Sequence, residues 1–382
     1  MKFLDTFAAA VLVCLFSNAS TQNSPKYYQK WSEVEPEHFP GGTYKYSNIE
    51  TFPDSDAISA NLVTLYPGGL REMHWHTATE WAYVLNGTCR ATVIESSRDS
   101  MAETWDYATG DVWYIRPNEA HVVQGLRDGC TYLAGYSNAT FDDKLASSLS
   151  SWLSTVTRDV VCDSLGLTPA DVTADLASMT HPRMITLGPV PNTSLAEYRV
   201  SVSRPPRLLV KNSHRFELAL STPHSATDGG FVQEASKATF PISQDMSGSL
   251  LEVDPGGMLQ LHWHTTQNEW QFVINGSVQA GVFTGPGQHE ESLLGPGDIG
   301  CAPISSGHYI RNPTQETAFL ILMYDDGEFS SIDLPWVIGN VPPQITASCM
   351  DTSVAFAENM HGTGPKVIPY GGTQQFTIQD PV

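Results

Sequence analysis

The sequence predicts an all-β protein built as two barrels of jelly-roll type, each followed by short helical segments. Three observations lead to this reading. Short apolar runs recur along the chain between Gly, Pro and Asn-Gly, the pattern of strands and turns. The pattern occurs twice: Pro67-Gly68-Gly69 leads towards the run Trp81 to Leu85, and Pro255-Gly256-Gly257 leads towards Trp270 to Ile274. A cluster, His74-Trp75-His76 with Glu80, also returns as His262-Trp263-His264 with Glu269, and a later histidine follows each, His121 and then His308.

Residues 1–19 read as a signal peptide. Lys2 supplies a basic start, Phe7 to Phe16 an apolar run, and Ser17-Asn18-Ala19 the small residues that signal peptidase needs, although Asp5 is unusual there. The mature chain is therefore expected to be secreted and extracellular. Asn86, Asn138, Asn192 and Asn275 each open a glycosylation acceptor pattern, which fits an exported glycoprotein. Cys14 leaves with the leader, and Cys89, Cys130, Cys162, Cys301 and Cys349 remain. An odd number leaves at least one thiol free or pairing between chains, and spacing assigns no bridge.

Residues 20–188 form the first expected domain. Trp81 to Leu85 and Cys89 to Ile94 read as strands joined by a two-residue hairpin turn at Asn86-Gly87. Gly110-Asp111 opens the strand that ends near His121. Asp142 to Ala177 reads as helical: Leu145, Leu149, Trp152 and Leu153 recur at helical spacing, and Thr168-Pro169-Ala170-Asp171 is a good helix start. Residues 189–208 contain several prolines and read as the linker. The second domain, 209–382, repeats the order: Trp270 to Ile274, a turn at Asn275-Gly276, Ser277 to Phe283, then Gly297-Asp298, with Pro335 to Met350 as the helical counterpart.

Acidic residues number 41 against 20 basic, a formal charge of −21. Such a surface repels nucleic acid and anionic membrane, so neither is expected as a partner. Beyond the leader no stretch approaches the length of a transmembrane helix.

On a strand, residues i and i+2 face the same side. His74 and His76 therefore point inward and Trp75 outward, and His262, His264 and Trp263 repeat this arrangement. Glu80 and Glu269 lie past the next bend, and His121 and His308 come from a facing strand. Three imidazoles and a carboxylate suit a divalent first-row metal and leave positions open for small ligands. These donors suit Fe, Cu, Ni or Zn as well as Mn. His181, His214, His224, His289 and His361 lie outside the clusters and read as ordinary polar residues. Glu72 reads as a strand-surface charge.

The motifs resemble those of the cupin superfamily, and in particular its bicupin oxalate decarboxylases. Gly69, His74, His76, Glu80 and Gly87 match the first cupin motif, and Gly110, Pro117 and His121 the second. In the other half Gly257, His262, His264, Glu269 and Gly276 match, then Gly297, Pro303, Gly307 and His308. The resemblance implies Mn(II) in each barrel, two per chain, with dioxygen as co-catalyst, and cleavage of oxalate to formate and carbon dioxide. It also implies that Arg71 holds a carboxylate of the substrate, since the family uses an arginine there and a guanidinium pairs with a carboxylate through two bonds. The matching position in the second half is Leu259, so catalysis is expected in the first barrel and a mainly structural role for the second metal. Cupins often assemble through barrel edges, which leaves a homo-oligomer open.

Decarboxylases of the family carry a lid with the pattern Ser-Glu-Asn-Ser-Thr, whose glutamate handles the proton that completes formate. The matching stretch here is Asp142-Asp143-Lys144-Leu145-Ala146, which puts Asp143, one methylene shorter, in the glutamate's place. Asp143 is then the expected catalytic acid. A competing reading makes Asp142 and Asp143 the exposed first turn of a helix. Lys144 is a further difference, expected either to attract oxalate or to pair with an aspartate. The altered lid keeps an oxalate oxidase, giving carbon dioxide and hydrogen peroxide, as the main alternative. A cupin dioxygenase of another, larger substrate and a non-catalytic storage-type bicupin are the others. The complete ligand sets count against the last.

Overall fold

The computed structural model describes residues 26–95, 102–168, 183–201, 213–360 and 366–369. The signal peptide at 1–19, the helix start expected at Thr168-Pro169, and His181 and His361 lie wholly or partly outside the described residues. Within them the chain forms two β-barrels with short helices after each. In the first, two long strands, Glu80–Ile94 and Ala120–Tyr136, pair antiparallel from Glu80↔Tyr136 to Ile94↔Ala120 and run through both walls. In the second, the same path is broken into shorter strands. Glu269–Asn275 pairs with Ala318–Tyr324 in one wall, and Val278–Gly285 with Gly307–Arg311 in the other.

The Asn-Gly pairs are not the hairpin turns that the sequence predicts. Asn86-Gly87 lies inside a continuous strand, between register shifts at Val84/Asn86 and Gly87/Cys89, and Asn275-Gly276 joins strands of different walls. Gly87 and Gly276 have φ of 77° and 71°. A bulged barrel corner and a tight hairpin both need a residue at positive φ, so the same dipeptide serves either. Next to the first corner Cys89 is bonded to Cys130 on the neighbouring strand, a pairing that spacing had left open. Cys162 and Cys301 are buried free thiols, and Cys349 is exposed.

Each barrel takes an edge strand from the segment that precedes the other. Tyr28–Gln29 pairs with Ile299–Ala302 of the second barrel, while Arg215–Phe216 pairs with Val112–Ile115 of the first. A 3-10 turn follows each exchanged strand, Trp31–Glu33 and Leu218–Leu220. Trp31 and Leu218 are buried in one apolar cluster shared by the barrels, with Trp81, Met246, Trp270 and Met323. The fit there is close: a Cβ on Gly248 would lie 2.5 Å from the Trp81 ring, and one on Gly135 would lie 2.5 Å from Met323 Sδ. Separate apolar clusters fill the interiors of the two barrels.

The helical stretch from Asp142 is shorter and more broken than its periodicity suggests. A 3-10 turn, Asp143–Leu145, is followed by the short strand Ser147–Ser148, which pairs with Trp75 and His74. Helices Leu149–Thr155 and Arg158–Leu165 come only then. Ser148 caps the first by accepting from Ser151 N. Leu145 is 83% and Trp152 59% exposed, so the apolar spacing there does not mark a core-facing helix. In the second half Leu334–Gly339, Pro343–Met350 and Val354–Glu358 are helical. Within the expected linker, Leu195–Ser201 forms a helix. Among the described residues no helix is long and apolar enough to cross a membrane.

The Cys89–Cys130 bridge closes a loop with a sequence separation of 41. Chain-entropy reasoning puts its contribution at about 4 kcal/mol. Equilibrium denaturation of the double Cys89→Ala, Cys130→Ala variant should show a clear loss of that order, and an unchanged midpoint would refute it.

Candidate functional site

His74 and His121 face each other across paired strands, as do His262 and His308. Glu80 and Glu269 begin the next strand of each barrel. The ligand atoms of His74, His76, Glu80 and His121 lie within 4.8 Å of one another, and so do those of His262, His264, Glu269 and His308; all eight residues are buried. Strand alternation alone would put Arg71 and His74 on opposite faces, because they are three residues apart. The pairing runs from Arg71↔Val123 to His74↔His121, so this strand spends one residue more than its partner in a bulge. The bulge returns Arg71 to the ligand face. The second barrel bulges between Leu259 and His262 in the same way.

The donor set fits a divalent cation. Every ligand ring turns Nδ1 to a backbone carbonyl: His74 to Glu72 O at 2.7 Å, His76 to Ala78 O at 2.8 Å and His121 to Glu119 O at 2.9 Å. In the second barrel His262 meets Gln260 O at 2.7 Å, His264 meets Ser330 O at 2.7 Å and His308 meets Ser306 O at 2.8 Å. Each Nδ1 is thereby the protonated nitrogen, and each Nε2 lone pair is directed to the cluster centre. Nε2 of His121 and of His308 is buried without a hydrogen-bond partner, an arrangement that protein interiors avoid unless a ligand is intended. Burial, followed by the charge of Arg71, holds His74 far below the usual imidazole range; burial and His308 do the same for His262. For Glu80, burial opposes ionisation, but the His121 and His76 rings beside it outweigh that effect and hold the carboxyl well below its ordinary range.

Each carboxylate also receives a fixed donor. Trp113 Nε1 donates to Glu80 Oε1 at 2.6 Å, and Gln271 Nε2 donates to Glu269 Oε1 at 2.7 Å. The two solutions are complementary. Trp113 stands opposite the small Ala82, whereas Gln271 stands opposite Gly300, where a Cβ would lie 2.7 Å from Gln271 Oε1.

The first barrel adds a buried ion pair. Arg71 donates from Nη2 to Asp143 Oδ1 at 2.9 Å, from Nε to Oδ2 at 3.2 Å and from Nη2 to Asp143 O at 3.1 Å. The two side chains are each 3% exposed, and Asp143 Oδ1 lies 3.6 Å from His74 Nε2. Asn61 Nδ2 donates to Asp143 Oδ2 at 3.2 Å and to Tyr136 Oη at 2.7 Å. Asp142 and Asp143 thus part, and the reading that both open an exposed turn fails for the buried Asp143. Asp142 caps the 3-10 turn through Lys144 N, and Asp143 turns inward onto Arg71. Lys144 does not pair with an aspartate. It pairs with Glu37 at 2.7 Å and lies over the Tyr46 ring. In the second barrel Leu259 replaces Arg71, and only three residues separate Phe329 from Asp333, where six separate Phe141 from Ser148. The acid that ends this shorter connection, Asp333, is engaged by Lys366 and Ser331.

Several residues outside the motifs matter more than the sequence suggests. Glu72 is no plain surface charge: its carboxylate accepts from Met184 N at 3.1 Å and Ser150 N at 3.4 Å, tying down the segment after the turn. Trp75 packs edge-on against Trp152. His214 is not an ordinary polar residue. It is fully buried between Glu103 Oε2, 2.6 Å from Nδ1, and Glu119 Oε2, 3.1 Å from Nε2. Arg116 Nη2 completes the cluster 2.6 Å from Glu119 Oε1. Burial opposes the His214 charge, but hydrogen bonds to Glu103 and Glu119 outweigh it and push the imidazole up to about 9. Its partners lie 111 and 95 residues away, so no local spacing announces it.

The cupin family model matches residues 35–173 and 216–354. Oxalate decarboxylase OxdC of Bacillus subtilis is 26% identical over 318 residues, covering 83% of this chain and 80% of that protein. A probable oxalate decarboxylase of Arthroderma benhamiae is 28% identical over 330 residues, covering 84% and 77%. A solved structure of Bacillus subtilis oxalate decarboxylase, described with Mn(II) centres, superposes with a TM-score of 0.83 at 23% identity, covering 91% of this chain and 90% of that one.

The ionised His214 has a pH consequence. Its folded value of about 9 lies above the ordinary imidazole value of roughly 6.5. Its contribution is complete below the lower value and is lost as pH rises through the upper one, on the order of 3 kcal/mol in all. Between pH 6 and pH 10 the wild type should therefore lose more stability than His214→Asn in denaturant titrations. Parallel curves would mean that His214 is not ionised in the fold.

Proposed function

The chain belongs to the cupin family, with one cupin domain in each half, and on that premise we propose that it is a secreted, manganese-dependent oxalate decarboxylase that works in its first barrel. The observation that carries this reading is the Arg71–Asp143 pair set beside the first ligand cluster. A guanidinium able to pair with a carboxylate and an acidic side chain thus lie beside the same cluster. Curated relatives over about four fifths of the chain are oxalate decarboxylases, and one of them is described with Mn(II) centres. The Cys89–Cys130 bridge and the exposure of Asn86, Asn138, Asn192 and Asn275 support an oxidising, extracellular setting.

When bound at His74, His76, Glu80 and His121, the metal ion supplies Lewis acidity and one-electron chemistry to oxalate and dioxygen. The rest falls to the chain's own residues. Asp143 occupies on Arg71 the place that a carboxylate of oxalate would take, so the Asp143–Leu145 turn must move off before substrate binds. Arg71 then holds the substrate through paired donors. Loss of one carboxyl as carbon dioxide leaves a one-carbon fragment that needs a proton on carbon. Oxalate dianion and one proton balance to formate and carbon dioxide, so each turnover consumes a proton. Asp143 delivers it when the turn closes again, and Tyr136 and Phe141, packed on His76, keep water out. With Leu259 in place of Arg71, and with Asp333 across from His262 engaged by Lys366 and Ser331, the second centre has a mainly structural role.

The manganese-loaded protein, given oxalate and air at mildly acidic pH, should yield formate without stoichiometric peroxide. Peroxide with little formate would make it an oxalate oxidase, and neither product would remove oxalate from the reading. Arg71→Ala should lower kcat/KM about a hundredfold, corresponding to roughly 3 kcal/mol for a lost charged pair. Asp143→Ala should shift the products from formate towards peroxide, and Asp143→Glu should restore formate; an unchanged formate yield in Asp143→Ala would exclude the proton role.

A further inference from the structure

One side of the first ligand cluster is supported by a turn that the second cluster shares, but only the first turn is held by charge. In the first barrel Asn118 N donates to His76 O at 2.7 Å, and Glu119 O accepts from His121 Nδ1 at 2.9 Å. In the second, Ser305 N donates to His264 O at 2.9 Å, and Ser306 O accepts from His308 Nδ1 at 2.8 Å. Asn118 and Ser305 are both in the left-handed region, with φ of 65° and 64°. Each turn thus sets the backbone of one ligand and the ring direction of another. Where the second barrel has Ser306, the first has Glu119, whose carboxylate is gripped by Arg116 N at 3.0 Å, Arg116 Nε at 2.9 Å and His214 Nε2 at 3.1 Å.

His214 comes from the exchanged segment between the barrels, and Glu103 anchors it. Glu103 accepts from His214 Nδ1 at 2.6 Å, His214 N at 3.1 Å and Ser213 Oγ at 2.6 Å. The corresponding glutamate of the second barrel is Glu290, since Glu103 pairs with Val93 beside His121 as Glu290 pairs with Val282 beside His308. Glu290 holds the other exchanged segment through Lys26 N at 3.0 Å and Tyr27 N at 3.1 Å. Among the described residues the second barrel has no charged side chain running on from that anchor to the turn. The duplicated architecture therefore isolates one difference.

We infer that His214 is a positioning residue for the first metal centre, through which the interbarrel segment fixes Glu119 and with it the ligands His121 and His76. The inference rests on reading the two clusters as metal centres. Partners behind metal-bound histidines orient the rings, and their loss weakens metal binding by roughly ten- to a hundredfold. His214 acts one step further out, and because its link is to one centre only, the other centre serves as an internal control for folding.

The test measures Mn(II) affinity in two full-length backgrounds, one emptied at the second centre by Glu269→Ala with His308→Ala, the other at the first by Glu80→Ala with His121→Ala. His214→Asn is expected to weaken the first centre about tenfold and change its Mn(II) electron paramagnetic resonance signature, leaving the second centre as it was. Glu290→Gln, which loosens the matching anchor, is expected to leave the second centre's affinity unchanged. Equal weakening of both centres by His214→Asn, or no weakening of either, overturns the inference. If His214→Asn does not fold, Glu119→Gln, which keeps shape and loses charge, should show the same first-centre loss, and its absence is equally fatal. A parent chain that holds manganese in neither barrel overturns the metal reading itself.

Discussion

On a regular strand Arg71 and His74 would face opposite sides of the sheet, and the first barrel would have ligands with no cation beside them. A single bulged residue changes this parity. It keeps His74 and His76 on one face by ordinary alternation and adds Arg71 to them. The same bulge in the second barrel delivers only Leu259. Both barrels thus share a backbone capable of presenting a fifth side chain to the cluster, and the identity of that side chain separates them.

That choice has an electrostatic consequence. A buried guanidinium without a partner is costly. Asp143 answers the charge with two carboxylate contacts, and the longer connection between Phe141 and Ser148 is what lets it reach. Leu259 needs no counter-charge, and its barrel has the shorter connection. Cation and acid are therefore one physical unit. In this structure the pair is also self-satisfied, and under the proposed function opening the turn would exchange one carboxylate for another on the same guanidinium. Such an exchange of like for like need not carry a large electrostatic penalty, which favours a turn that moves readily.

The sequence made the duplicated barrels and all eight ligand positions legible because strand alternation and His-x-His spacing are local. What escaped it was set by partners distant in sequence or by ambiguous local chemistry. Asn86-Gly87 and Asn275-Gly276 read as hairpin turns and are not; Gly87 and Gly276 do take positive φ, but whether a chain at such a point reverses or turns a corner depends on which strand lies alongside. Leu149 and Trp152 kept a helical period without a core beneath them, because the barrel was already filled by its own clusters. Glu72, His214 and the Cys89–Cys130 bridge find their partners across the fold, where neither period nor spacing points.

The exchanged strands explain why the two barrels are better regarded as one folding unit than as beads on a linker. Val112–Ile115 and Ile299–Ala302 would be open sheet edges in isolated barrels, with unpaired backbone groups inviting association with other chains. Each is covered by a strand that lies, in sequence, just ahead of the other barrel. The 3-10 turns that follow drive Trp31 and Leu218 into the shared apolar cluster, so the cover cannot lift without exposing that cluster. Tyr28–Gln29 leaves the ribosome long before Ile299–Ala302, and this long-range pairing must form late. Its mate Arg215–Phe216 has a nearer target in sequence, Val112–Ile115. The same segment brings His214 to Glu119, so the cover of the first barrel's edge and the outer support of its cluster are one piece of chain.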